Sequence, residues 1–212
     1  DSYLQRRILE SGGRIVAEYI FLDAYFDFPG EPLLRRNCWL RKRAGLWELK
    51  VPMSEQMALA ADAAGRAAVY RELTAATEIT AWLLTKEGVL PSGAFAANRE
   101  KGSEEALSVD DIVAAAGGST FAEYRTTRRR YALPGERLSV DIDSASYGHV
   151  VVEVEAMCAG AGGVDAARAA VAAAAAALGL QAGGAVRGKL EEYVWRYRPD
   201  LVAPMLAIGM LK

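Results

Sequence analysis

Four short stretches carry charge at alternate positions: Arg41 and Arg43 in WLRKR, Glu48 and Lys50 in WELK, Asp141 and Asp143 in LSVDID, Glu153 and Glu155 in VVEVEA. Residues two apart in a β-strand project from the same face. Each stretch therefore reads as a strand with one charged face, and in all but the basic run, where Leu40 and Lys42 alternate, the other face is fully apolar. One such strand is the ordinary solvated side of an antiparallel sheet. The four together are not, because two are wholly acidic and one is nearly wholly basic, whereas a solvated face mixes signs. Like charges that face each other also cost stability. A ligand that supplies both missing counter-charges removes that cost, and a polyphosphate with its divalent metal supplies both. Carboxylates are hard oxygen ligands for Mg2+ or Mn2+, and guanidinium forks take phosphate oxygens in pairs. The two sets converge if the sheet closes, or curves strongly, with its charged face inward.

The elements that must position these residues alternate in texture. Residues Arg14 to Asp27 are rich in β-branched and aromatic side chains and end at Pro29 and Gly30, which predicts a strand and a turn. Asn37 to Arg43 and Leu46 to Val51, separated by Ala44 and Gly45, have hairpin spacing. Val69 to Thr74 adds a strand, and Thr77 to Gly88 carries the helical period. Ser108 with Asp111 three residues on predicts a capping box for a helix ending near Ala116. Three more strands follow, over Phe121 to Leu133, Arg137 to Ile142 and Gly148 to Met157, with Pro134 and Gly135 at the first turn. Helices over Val164 to Leu178, stopped by Gly179, and Lys189 to Tyr197 complete the chain. Met53 to Ala68 reads as a loop or short helix and Pro91 to Gly102 as a loop. Strands, helices, strands and helices in that order, without βαβ alternation, predict an α+β fold with mostly antiparallel pairing.

Composition narrows the chemistry. The 212 residues suffice for a single domain over 1–212, and 25 Lys+Arg against 27 Asp+Glu argue against nucleic-acid or membrane partners. Two cysteines, Cys38 and Cys158, with one histidine make a zinc site or disulfide framework a poor reading. His149 reads as a turn or surface residue, and Trp82, Trp195 and Tyr197 as packing residues. The Ala-rich run to Leu180 carries Asp165 and Arg168 and reads as a soluble helix, so a cytoplasmic monomer is expected.

The ordered set Asp23-Ala-Tyr25-Phe26-Asp27, WLRKR, WELK, Tyr70-Arg71-Glu72-Leu73, Val140-Asp141-Ile142-Asp143, Glu153-Val154-Glu155 and Gly188-Lys189-Leu190 resembles the CYTH superfamily of triphosphate tunnel metalloenzymes. Within that superfamily the resemblance is strongest to the thiamine triphosphatases. It implies an eight-stranded antiparallel closed β-barrel, the triphosphate tunnel, flanked by helices. It also implies an opening Glu-x-Glu-x-Lys strand ahead of the helix near Leu4, which these residues do not contain; a trimmed sequence is the expectation.

By the same resemblance Arg41, Arg43, Lys50, Arg128 and Lys189 grip the triphosphate. Asp141, Glu153 and Glu155 hold the metal, Mg2+ or alternatively Mn2+, with Asp143 as a neighbour of the metal acids and Glu72 orienting arginine side chains. Arg125, Arg129 and Arg130 crowd the strand of Arg128. Lys50 amid other cations, paired with Tyr25, is the expected activator of the attacking water. Strand parity sends Trp39 inward with Arg41 and Arg43, where an indole can stack on a thiazolium cation. The implied function is Mg2+-dependent hydrolysis of thiamine triphosphate, a small-molecule substrate. Alternatives are an inorganic triphosphatase or nucleotide cyclase of the same tunnel, and a non-catalytic polyphosphate-binding module.

Overall fold

A computed structural model of the chain describes residues 2–53, 69–91, 107–135, 137–158, 161–180 and 186–211. Helix α1 (Ser2–Glu10) leads into strand β1 (Arg14–Asp27), followed by β2 (Trp39–Arg43), β3 (Leu46–Pro52) and β4 (Tyr70–Leu73). Helices α2 (Ala76–Thr85) and α3 (Val109–Ala115) separate these from β5 (Ser119–Ala132), β6 (Leu138–Ala145) and β7 (Val150–Ala156). Helices α4 (Val164–Ala177), α5 (Lys189–Tyr197) and α6 (Pro199–Ala207) end the chain. The sequence reading omits α6 by stopping at Pro199, which occupies the first helical position, where its missing N–H costs nothing. Most of the runs predicted as loops, 54–68 and 92–102, lie outside the described residues. None of the described helices is long and apolar enough to cross a membrane.

All seven strands join one antiparallel sheet in the order β4-β3-β2-β1-β5-β6-β7. The closed eight-stranded barrel is thus corrected to a curled, seven-stranded half-barrel. Among the described residues β4 and β7 are its edges, and no eighth strand bridges them. Curling is evident in the electrostatics: the Lys50 charge on β3 bears on the Glu155 carboxyl on β7. In a flat sheet five strand spacings of about 4.8 Å would separate those strands.

Helices cover the convex face in two patches. Leu40, Leu49, Val51 and Leu73 pack under Ile79 and Leu83 of α2 and Val109, Ile112 and Val113 of α3. Tyr131, Val140 and Ile142 pack against Ile8 of α1 and Leu178 beyond α4. The third cluster differs, because Val194 of α5 and Leu201 and Met205 of α6 bury Tyr25, Trp39, Ala122 and Tyr124, which belong to the concave face. The C-terminal helices therefore fill one end of the concavity.

Two local devices set strand register. Ala44 (φ 47°) and Gly45 (φ 85°) form the β2–β3 turn with both central residues left-handed, as a two-residue hairpin requires. Asp27, at the end of β1, accepts hydrogen bonds from the backbone N–H groups of Phe28 (2.8 Å), Leu33 (3.1 Å) and Leu34 (2.8 Å). It thereby fixes the turn that delivers the chain to β2. Burial pushes its carboxyl up to about 6, against the pull of those three donors.

Candidate functional site

Register defines the lining of the concavity. Tyr25 stands opposite Arg41 and Asp23 opposite Arg43. Arg41 stands opposite Glu48, Trp39 opposite Lys50, and Lys50 opposite Glu72. On the other side Tyr19 faces Arg128, Arg128 faces Asp143, Arg130 faces Asp141, and Asp141 faces Glu153. Directly opposed residues share a face, so all four charge pairs read from the sequence line one surface. β5 resolves its crowded arginines by the same parity. Arg128 and Arg130 point into the concavity, whereas Arg125 is exposed and Arg129 pairs with Glu18 on the convex side at 2.6 Å.

The acidic and basic groups interlock. Asp143 is fully buried; its carboxylate accepts from Arg128 Nε (2.7 Å) and Nη2 (2.6 Å) and pairs with Lys189 Nζ (2.5 Å). Lys189, the first residue of α5, also donates to Glu153 at 2.6 Å. Arg128 reaches Glu153 at 3.0 Å and contacts Asp141 as well. Burial raises the Asp143 and Glu153 carboxyls, but the adjoining Arg128 and Lys189 outweigh it and hold both below the usual range. Glu155 moves the other way, pushed up by burial and by the neighbouring charges of Glu153 and Asp141. Asp143 therefore anchors two cations that also reach Glu153.

Asp141, Glu153 and Glu155 each offer a carboxylate oxygen within 4.8 Å of the others. Three hard oxygen donors at that spacing suit a Mg2+- or Mn2+-sized ion that keeps some of its water. The guanidinium of Arg130 lies on two of the three, at 2.5 Å from Asp141 and 3.2 Å from Glu155, so the group already attracts a cation.

On the β2–β3 side, Arg43 forms a bidentate pair with fully buried Asp23 (2.6 and 2.9 Å) and lies 4.1 Å from the Phe21 ring centroid. Arg41 pairs with Glu48. Glu72, expected to orient arginines, has Lys50 as its direct partner at 2.6 Å, and Arg41 and Arg43 act on it only through their charge. Burial raises the Glu72 carboxyl and Lys50, as the larger opposing influence, helps bring it below the usual range. Tyr25 packs against Tyr124 (6.0 Å) and Phe121 (6.3 Å). Trp39 is 7% exposed and its indole N–H donates to Asn37 at 3.0 Å, an acceptor it shares with the Tyr70 hydroxyl at 2.7 Å.

Sequence reasoning missed three members of this surface. Asp23 stands out there only as part of a motif, Glu48 only as a parity partner of Lys50, and Arg130 only as a crowding neighbour. The i, i+2 rule applied to β5 selects Arg130 together with Arg128, and Asp23 two residues before Tyr25 is selected likewise. Outside the surface, His149 is half-buried at the β6–β7 turn, stacked on Tyr147 and 2.9 Å from the Arg187 carbonyl.

Comparison with known proteins gives a consistent relationship. No family model matches the chain. The thiamine-triphosphatase of Macaca fascicularis is 30% identical over 216 residues, spanning 98% of this chain and 86% of the relative. That of Homo sapiens is 30% identical over 210 residues, spanning 97% and 85%. Among solved structures, the PH1819 protein of Pyrococcus horikoshii shares the fold with a TM-score of 0.59 at 13% identity, covering 92% of this chain and 94% of that one. A conserved hypothetical protein of Pyrococcus furiosus does so at 0.52 and 14% identity, covering 85% of each chain. Relatives of this identity that align along nearly the whole chain mean that the chain belongs to the thiamine-triphosphatase family.

Proposed function

We propose that the chain catalyses Mg2+-dependent hydrolysis of thiamine triphosphate to thiamine diphosphate and phosphate on the concave face of the half-barrel. The observation that carries this reading is one surface holding Arg41, Arg43, Arg128 and Lys189 beside three carboxylates whose oxygens lie within 4.8 Å of each other. Guanidinium forks take phosphate oxygens and clustered carboxylates take a divalent ion, so polyphosphate and metal each find groups of the fitting kind on that surface.

In this reading Asp141, Glu153 and Glu155 hold the metal, which when bound supplies Lewis-acid neutralisation of phosphate oxygens. Arg41, Arg43, Arg128 and Lys189 bind and orient the triphosphate, with guanidinium forks fixed by Glu48, Asp23 and Asp143. Preset donors of this kind stabilise charge that develops on the transferring phosphoryl group without reorganising during reaction. Lys50, two strands from Tyr25 on the same face, prepares water together with Tyr25; to accept the water's proton it must enter the step as the neutral amine, having given its own proton to solvent. Glu72 holds the Lys50 ammonium until substrate enters.

Trp39 takes the organic end of the substrate by cation–π stacking, worth about 1 kcal/mol or more when desolvated. Its tight burial and its hydrogen bond to Asn37 favour a second reading, in which Trp39 is a packing residue and the substrate is inorganic triphosphate. Phosphate release measured with Mg2+ on thiamine triphosphate, inorganic triphosphate and ATP at matched concentrations separates the two. Preference for the thiamine ester supports the first and preference for inorganic triphosphate the second. Binding without release from any substrate refutes hydrolysis.

A further inference from the structure

The cations of the acidic half of the site are not equivalent. Arg128 is anchored by Asp143 through two hydrogen bonds, and Lys189 pairs with the same carboxylate; Asp143 lies outside the group of three carboxylates. Both keep an anchor whatever happens to Asp141, Glu153 and Glu155, and both are less than a tenth exposed. Arg130 has no such anchor among the described residues. Its acidic partners are Asp141, through Nε at 2.7 Å and Nη2 at 2.5 Å, and Glu155 at 3.2 Å, and both belong to the group. Its side chain is 32% exposed, so it has room and water to leave.

A guanidinium fork and a divalent ion cannot use the same carboxylate lone pairs at once. We propose that Arg130 is the resident counter-ion of the carboxylate site, displaced when a divalent metal binds and thereby freed toward the phosphate of the substrate. The proposal rests on the reading of Asp141, Glu153 and Glu155 as metal ligands given above. Arg130 then lowers metal affinity in the empty site and couples metal to substrate, because each helps release or recapture the same guanidinium.

The test is Mn2+ binding to the metal-free protein, read by the electron paramagnetic resonance of free Mn2+. Arg130→Met keeps length and removes charge, and its Mn2+ dissociation constant is expected to fall about tenfold. Arg130→Lys keeps a charge and is expected to stay within threefold of wild type. In wild-type protein, the Arg130 Nε–H NMR signal is expected to lose its protection from solvent exchange when Mg2+ is added. Equal or weaker Mn2+ binding by Arg130→Met, or persistent protection of that signal, overturns the proposal while wild-type binding stands. Absence of Mn2+ binding by wild type and variants alike overturns the metal reading, and the proposal with it.

Discussion

Replacing Asp143 by Asn removes one charge from the centre of the site and changes little else. The wild-type carboxylate is fully buried and takes three charge-assisted contacts, at 2.7 and 2.6 Å from Arg128 and 2.5 Å from Lys189. Removing one member of a buried ion pair costs about 3–5 kcal/mol. Arg128 retains Asp141 and Glu153, and Lys189 retains Glu153, so the loss falls at the lower end, about 3 kcal/mol. For a chain of this size each kcal/mol moves Tm by about 2–4 °C, which gives a drop of roughly 6–12 °C. Inorganic triphosphate supplies the anion that the amide variant lacks, so the Tm gain on adding it is expected to be larger for Asp143→Asn than for wild type. Differential scanning calorimetry from about pH 3 to 8, with and without triphosphate, reads both quantities. The Asp143 carboxyl is held below its usual value, so its contribution is present above the unfolded pKa of about 3.8 and is lost as pH falls through the lower folded value. The two proteins should therefore converge in acid. A Tm drop under about 2 °C at neutral pH, or an equal triphosphate gain in both, refutes the picture of a buried counter-ion whose role an anionic ligand can share.

Lys50→Ala is expected to lower kcat by about 10²- to 10⁴-fold, the usual range for general acid–base catalysis, with KM within about threefold; equal losses in both would make Lys50 a binding group only. Asp27 has its carboxyl pushed up to about 6, above an unfolded value near 3.8, so its contribution to stability is fully present below about pH 4 and is lost as pH rises through 6. Asp27→Asn, which cannot ionise, should flatten urea-measured stability across that window, and an unchanged profile would show that Asp27 is ionised throughout. Ser108→Ala removes a cap that accepts from Asp111 N–H at 3.1 Å and donates to its carboxylate at 2.6 Å; about 1 kcal/mol of stability should be lost in urea unfolding.

Much of the site was legible because strand parity is rigid. Once WLRKR and LSVDID are strands, Arg41 with Arg43 and Asp141 with Asp143 must share a face, and the register shows that they do. The Ser108–Asp111 cap was legible for the same reason: the motif is local and its geometry follows from four residues. Closure of the sheet was not, because whether β4 and β7 meet depends on which strand lies between them, a non-local pairing that no residue pattern within either edge encodes. The partner of Glu72 was not legible either. Parity puts it on the right face, but only the register against β3 brings it to Lys50 rather than to an arginine.

The layering of this sheet explains why stability and chemistry share residues. Antiparallel sheets usually turn apolar side chains toward a core and charge toward water. Here the convex apolar faces of β2–β4 and β5–β7 are satisfied by separate sets of helices, and the part of the concave face that α5 and α6 do not cover is left to carry charge. Such a surface is stable only if its charges find partners, and in the described residues they do so across strands, Arg43 with Asp23, Arg41 with Glu48, Lys50 with Glu72 and Arg128 with Asp143, and from α5 to β6, Lys189 with Asp143. A buried pair gains little net free energy over apolar packing of the same volume. Removing one partner nonetheless costs about 3–5 kcal/mol, because the other charge is left buried alone. In the proposed reading an entering anion must therefore leave every cation with a counter-charge, and a metal would meet Glu153 held below the usual range, against its burial, by Lys189 and Arg128 and Glu155 pushed above it. In the proposed reading the groups whose ion pairs hold the empty fold together are also the groups that meet substrate and metal, so a substitution at any of them must be read both as a change in stability and as a change in binding.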